Sequence, residues 1–180
     1  MVTPAGLGDP DYALAFCIAN RPALDHYPAL ERIAPLAPGE LQHIVANSSN
    51  HWRKLFSVYA KCLYALGPAS HWPSRWQDYR DKHLLQAGSG CALLFTPPAG
   101  GERLHIVAGK TYAAALGLNQ LEWLDAHFAI DVAHRQIVTP YLDYRQLSNE
   151  RIERLAELIR RHGLATSVNA RLRSRVESAD

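Results

Sequence analysis

The chain has few cysteines, and none of them come in pairs. Cys17, Cys62 and Cys91 stand alone, so neither a disulfide framework nor a zinc site built on a CxxC spacing is expected. Cys17 and Cys91 lie inside apolar runs, where a thiol packs as a small hydrophobe, and core packing is preferred to catalysis for all three. Long apolar runs are missing as well: nothing approaches the roughly 20 residues of a membrane helix. Met1 to Pro10 has neither the basic start nor the apolar stretch of a secretory signal. The expectation is a cytoplasmic protein with no membrane partner, no metal and no cofactor. Charge of one sign is scarce too. Nineteen Lys and Arg against 17 Asp and Glu leave a formal net charge of +2, which permits a local basic patch without announcing a nucleic-acid binder. The nine histidines are scattered. The sequence sets no oligomeric state.

What remains is an ordinary globular composition, 48% hydrophobic and 20% charged over 180 residues, enough for one core and too short for two comfortable ones. One α/β domain is expected over 1–165, followed by a polar, Arg-rich tail over 166–180 that frays.

Four segments read as buried strands. Tyr12 to Ala19 is nearly all apolar and ends at Asn20-Arg21-Pro22, where proline removes a donor. Cys91 to Phe95 is closed by Thr96-Pro97-Pro98, and a tight Gly100-Gly101 turn separates it from Leu104 to Ala108. Gln136 to Thr139 ends at Pro140. Between them lie helical signals. The stretch up to Gly39 reads as a loop with a short helix near Ala29 to Arg32. Trp52, Leu55, Phe56, Tyr59, Leu63 and Leu66 form one apolar stripe that Gly67-Pro68 stops. Ser74 with Gln77, and Asn119 with Glu122, have the form of capping boxes, the first opening a helix to about Leu85 and the second a helix through Leu124. Lys110-Thr111 leads into a short Ala-rich helix, Tyr112 to Leu116. Ser148 caps the last helix, with Leu147 and Ile152 as a hydrophobic staple and Arg160, Arg161 and His162 before Gly163. Alternating strands and helices imply a three-layer α/β/α domain around a mostly parallel four-stranded sheet.

In such sheets ligands bind beyond the carboxyl ends of the strands. The loops there are Asn20-Arg21, Thr96-Pro97-Pro98, Gly109-Lys110-Thr111 and Tyr141 to Gln146. Gly109-Lys110-Thr111 is not a phosphate-binding P-loop, because Leu104 occupies the place of its first glycine; it is a strand-to-helix turn, or a site where Lys110 meets a phosphate. Asp143 either pairs with Arg145 to shape its loop or positions a water, and Tyr144 is placed to stack on a planar ligand. Near the helix after Ser49, Asn50 is either its cap or a water-positioning amide, and Trp52 is either core or platform.

Taken in order, these loops resemble the uracil-DNA glycosylase superfamily, especially its hypoxanthine-DNA glycosylase type. The resemblance rests on Ile18 to Leu24 with Tyr27, on Asn47-Ser48-Ser49-Asn50-His51-Trp52, on Val107 to Leu116, and on Thr139 to Asn149, and it spans Ala13 to Ile159. It implies an N-glycosidic hydrolase that flips a damaged base out of DNA. By that resemblance Asn20 or Asn50 holds the water, Tyr141 meets the leaving base, and Tyr27 or Trp52 stacks on it. Lys110 and Arg145 hold flanking phosphates, with Arg21, Asn47, Asp143 and Tyr144 completing the substrate contacts. The sequence departs from the family where a histidine is usual and Tyr141 stands instead, which removes a group that protonates near neutral pH. That departure favours a rival, a catalytically inactive member that binds nucleic acid or a planar ligand. A third reading is a protein-interaction module anchored by Trp72, Trp76 and Trp123.

Overall fold

The structure, a computed structural model, describes residues 3–164; the tail expected to fray lies outside the described residues. The chain is an α/β protein. The sheet runs β1 (Gly6–Gly8), β2 (Leu14–Cys17), β3 (Ile33–Ala34), β4 (Cys91–Leu94), β5 (Leu104–Ala108), β6 (Glu122–Trp123), β7 (Ala129–Asp131) and β8 (Gln136–Thr139). The helices are α1 (Glu40–Asn47), α2 (Asn50–Ala65), α3 (Trp76–Lys82), α4 (Lys110–Ala115) and α5 (Asn149–Arg161).

The expected four-stranded sheet is corrected to a mixed sheet of eight strands among the described residues, ordered β3-β1-β4-β2-β5-β8-β7-β6. The inner four, β4, β2, β5 and β8, are parallel to one another. They are the four continuous apolar runs, and every one of their residues is buried except Gln136, as strands covered on both faces require. The four added strands are two or three residues long and lie at the edges. Of these, β1 pairs antiparallel with β4, while β7 pairs antiparallel with β8 and β6 with β7. Strands of two or three residues carry too little periodicity to be read from sequence.

Strand alternation divides the core in two. Leu14, Phe16 and Ile18 join Leu93, Ile106 and Ile137 in a large cluster with buried residues of α1, α2, α3 and α5. Ala15, Cys17, Leu94, Val107 and Val138 face the other way into a smaller cluster, closed by Ala113, Tyr112 and Leu116 on or beside α4. The covering of the two faces is therefore unequal: four helices on one side, one six-residue helix on the other.

Several local expectations are revised. Asn119 with Glu122 opens no helix; Glu122–Trp123 is strand β6, held to Ala129 and Ile130 of β7. The loop and short helix expected before Gly39 become a 3₁₀ turn at Tyr27–Ala29 and strand β3, with the unforeseen helix α1 following. The strands on either side of Gly100-Gly101 are not neighbours in the sheet, because β2 lies between β4 and β5. Ser148 is the N-cap of α5 by position: its carbonyl accepts the first intrahelical bond, from the Ile152 N–H at 2.8 Å, and its side chain makes no cap bond.

Candidate functional site

Because β2, β5 and β8 run parallel, the loops that leave them emerge along one rim. There they enclose a pocket of about 510 Å³. Asn20 comes from the end of β2, Lys110 and Thr111 from the start of α4, Tyr141 and Gln146 from the loop after β8, and His127 from the turn before β7. The β5–α4 corner turns at Gly109, whose φ of +99° is one that residues with side chains rarely adopt. Its N–H donates to the Thr139 carbonyl at 2.8 Å, tying the corner to the end of β8.

At the pocket wall, Tyr141 is the hub. Its hydroxyl lies 2.6 Å from Nε2 of His51, and the two rings stack 5.3 Å apart at 16°. Burial pushes the phenol up to about 12, while a hydrogen bond from the Asn20 side chain pulls it down. Burial also holds the His51 imidazole below its usual value; the Asp143 charge opposes this and Lys54 reinforces it. A neutral His51 accepts the phenol proton at Nε2, and the phenol oxygen accepts from the Asn20 amide N–H. The result is a chain of three polar groups, Asn20, Tyr141 and His51, drawn from the loops after β2 and β8 and from α2.

His127 also lines the pocket, and its Nε2 lies 3.0 Å from Nη2 of Arg151. A guanidinium can only donate, so Nε2 is the acceptor and the His127 proton sits on Nδ1. Arg151 also donates to the Gln146 carbonyl at 2.6 Å, linking both pocket loops to the first turn of α5. Lys110 reaches over the Trp123 ring, its ammonium 5.0 Å from the centroid. No carboxylate lines the pocket among the described residues, and no group of three or more His, Cys, Asp or Glu there is arranged to hold a metal. No described helix is long and apolar enough to cross a membrane.

Of the residues expected at the site, Asn20, Lys110 and Tyr141 are brought together here. The others are occupied elsewhere. Arg21 donates from Nη1 to the carbonyls of Tyr27, Pro28 and Leu30, so its guanidinium folds the loop after β2. Tyr27 is buried with its hydroxyl 2.6 Å from Glu40, and burial followed by that carboxylate raises its pKa. Trp52 is core, 3% exposed. Asn47 donates to the His43 carbonyl, and the Asn50 amide oxygen accepts from Arg53, both on exposed ends of helices away from the pocket lining. Asp143 accepts from the Arg145 backbone N–H at 2.8 Å rather than from its guanidinium. Tyr144 is exposed, with the Lys61 ammonium 5.1 Å from its ring centroid, and Arg145 is exposed on the same loop.

Two histidines were given no role from the sequence: His127, which lines the pocket, and His51, which stands behind Tyr141. His51 lies in the Asn47–Trp52 segment that the sequence singled out, but nothing there marks it as the partner of Tyr141. His127 has no sequence signal, because it reaches the pocket only through the β6–β7 turn that Asp125 builds by accepting from the N–H groups of His127 and Phe128. No curated protein and no solved structure matches the chain. The model of a family of unknown function, DUF6942, matches residues 5–160, and the chain belongs to that family.

Proposed function

We propose that the pocket holds a nucleobase flipped out of a DNA strand and that the protein hydrolyses its N-glycosidic bond. The observation that carries this reading is the convergence of Asn20, Tyr141 and Lys110 on one pocket of about 510 Å³, a size that suits a small planar ligand. A base leaves as an anion while positive charge grows on the sugar, so the site needs a held water and donors for the departing ring. Asn20, donating its amide N–H to Tyr141, keeps its carbonyl oxygen to hold the water. Lys110 and the Nδ1–H of His127 are the donors for the leaving base, joined by the Tyr141 O–H when it turns from His51 Nε2 to the bound base. His51 stands behind Tyr141 and restores a protonatable imidazole one hydrogen bond from the place where the family resemblance expects a histidine.

A parallel quartet β4-β2-β5-β8 at the centre of the sheet, with helices on both faces, supports a three-layer arrangement similar to that of the uracil-DNA glycosylases. One feature favours the inactive variant of the reading: with no carboxylate in the lining, no strong general base adjoins the water.

The test is an incubation with oligonucleotides carrying uracil, hypoxanthine or xanthine, followed by alkaline cleavage at abasic sites. Product is expected from at least one substrate. Asn20→Ala should slow it on the order of 100-fold and Tyr141→Phe by about 10-fold or more, the range typical of a lost polar catalytic contact. An absence of abasic product from every substrate, with enzyme in excess, removes the hydrolytic reading and leaves base binding alone.

A further inference from the structure

We propose that the exposed indole of Trp123, with Lys110 beside it, is a platform for the nucleotide next to the one in the pocket, and that the strand it receives is single-stranded DNA. This rests on reading the pocket as a base site. Trp123 is 45% exposed, an unusual state for the largest apolar side chain and one that recurs where aromatic surface meets a partner. It lies on edge strand β6, next to the turn that carries His127 to the pocket. Lys110 lines the pocket and places its ammonium 5.0 Å from the Trp123 ring centroid. One cation thus bridges the pocket mouth and the indole. A phosphate joining a base in the pocket to a base on the indole has to pass that cation.

The surrounding charges suit a phosphodiester. Arg151, joined to His127 of the pocket lining, adds a second cation. The nearby carboxylates are occupied or turned away. Asp125 accepts two backbone N–H groups and faces Arg154 at 3.7 Å. Glu122 precedes Trp123 on β6, so its side chain leaves the opposite face of the strand. The pairing of exposed aromatic and lysine recurs on the pocket's other loop, where Tyr144 is 39% exposed and Lys61 lies 5.1 Å from its ring centroid. Alternating aromatic faces and cations are how proteins hold unpaired strands, because an unstacked base offers a free π-face that a duplex base does not.

The experiment measures fluorescence anisotropy of a labelled, unmodified 15-nucleotide oligothymidylate, single-stranded and as a duplex with its complement, against salt. The wild-type protein should bind the single strand more tightly than the duplex. Trp123→Ala should weaken single-strand binding by roughly 5- to 100-fold, and Trp123→Phe should retain most of it. Lys110→Ala should make the slope of log affinity against log salt shallower by about 0.7. Equal affinity of Trp123→Ala and wild type, tighter binding of the duplex, or no binding of either form overturns the platform. The excision assay separates the two readings. Excision with binding that is indifferent to Trp123 keeps the pocket reading and removes the platform. Binding that depends on Trp123, with no excision from any base, keeps the platform and removes hydrolysis, leaving the pocket as a base-binding site.

Discussion

His105 lies on β5 with none of its surface exposed, its Nε2 2.7 Å from the Tyr12 hydroxyl and 3.4 Å from the Ala99 N–H. Burial holds its pKa down to about 4, whereas an unfolded histidine titrates near 6.5. Below pH 6.5 the unfolded chain therefore takes up a proton that the folded chain refuses until about pH 4. Stability contributed by this residue falls as pH drops through that window and levels off below it, a loss of about 3 kcal/mol in all. Urea unfolding at pH 7.5 and pH 4.5 should show it, because His105→Gln should lose clearly less stability between the two conditions than wild type. Equal losses would mean that the imidazole is charged in the folded protein. Tyr141 and His51 are the same physics at the pocket: partial burial keeps the phenol protonated and the imidazole neutral, the states in which they can share one proton.

At the scale of elements, continuous apolar runs are what made the inner sheet legible. Phe16, Leu93, Ile106 and Val138 all sit in runs long enough to announce a buried strand, and the α2 and α5 stripes were equally clear. The edges were not. Gly6 and Gly8 have low strand propensity, and β1 exists because the missing side chains let its backbone lie against β4. A Cβ on Gly6 would meet the Leu93 carbonyl oxygen at 2.0 Å. Gly6→Ala should therefore destabilise the protein by about 2–4 kcal/mol, measured by urea unfolding, through forced separation of β1 from β4. A change under 1 kcal/mol would show that β1 yields without cost. The helix α1 could have been found from Leu41, Ile44 and Val45 at helical spacing, but Pro38-Gly39 masked its start. The Asn119–Glu122 capping box misled because Leu121 to Leu124 is too short for a helix to pack, and pairing with β7 satisfies its backbone instead.

Half of the candidate site was legible for a related reason. The loops after β2, β5 and β8 follow from strand direction alone, so Asn20, Lys110 and Tyr141 could be placed on one rim. What each side chain does there depends on neighbours distant in sequence. Arg21 turns to three carbonyls of its own loop, and Tyr27 to Glu40; neither contact leaves a pattern in the chain. The His51–Tyr141 bond joins residues separated by 90 positions.

At the scale of the molecule, a single sheet separates two unequal cores, and the three thiols are distributed between them. Cys17 belongs to the thinly covered face, Cys62 and Cys91 to the thick one, and burial raises the pKa of each. Nearly all of each thiol is protonated and out of reach while the fold is closed. An alkylating reagent therefore acts as a clock for opening. If the sheet makes the molecule cooperative, mass spectrometry of partly labelled protein should show unlabelled and triply labelled chains with little between them. Early labelling of Cys17 alone would mean that the side guarded by one short helix breathes by itself, and that the wall of the pocket to which that helix contributes Lys110 and Thr111 breathes with it.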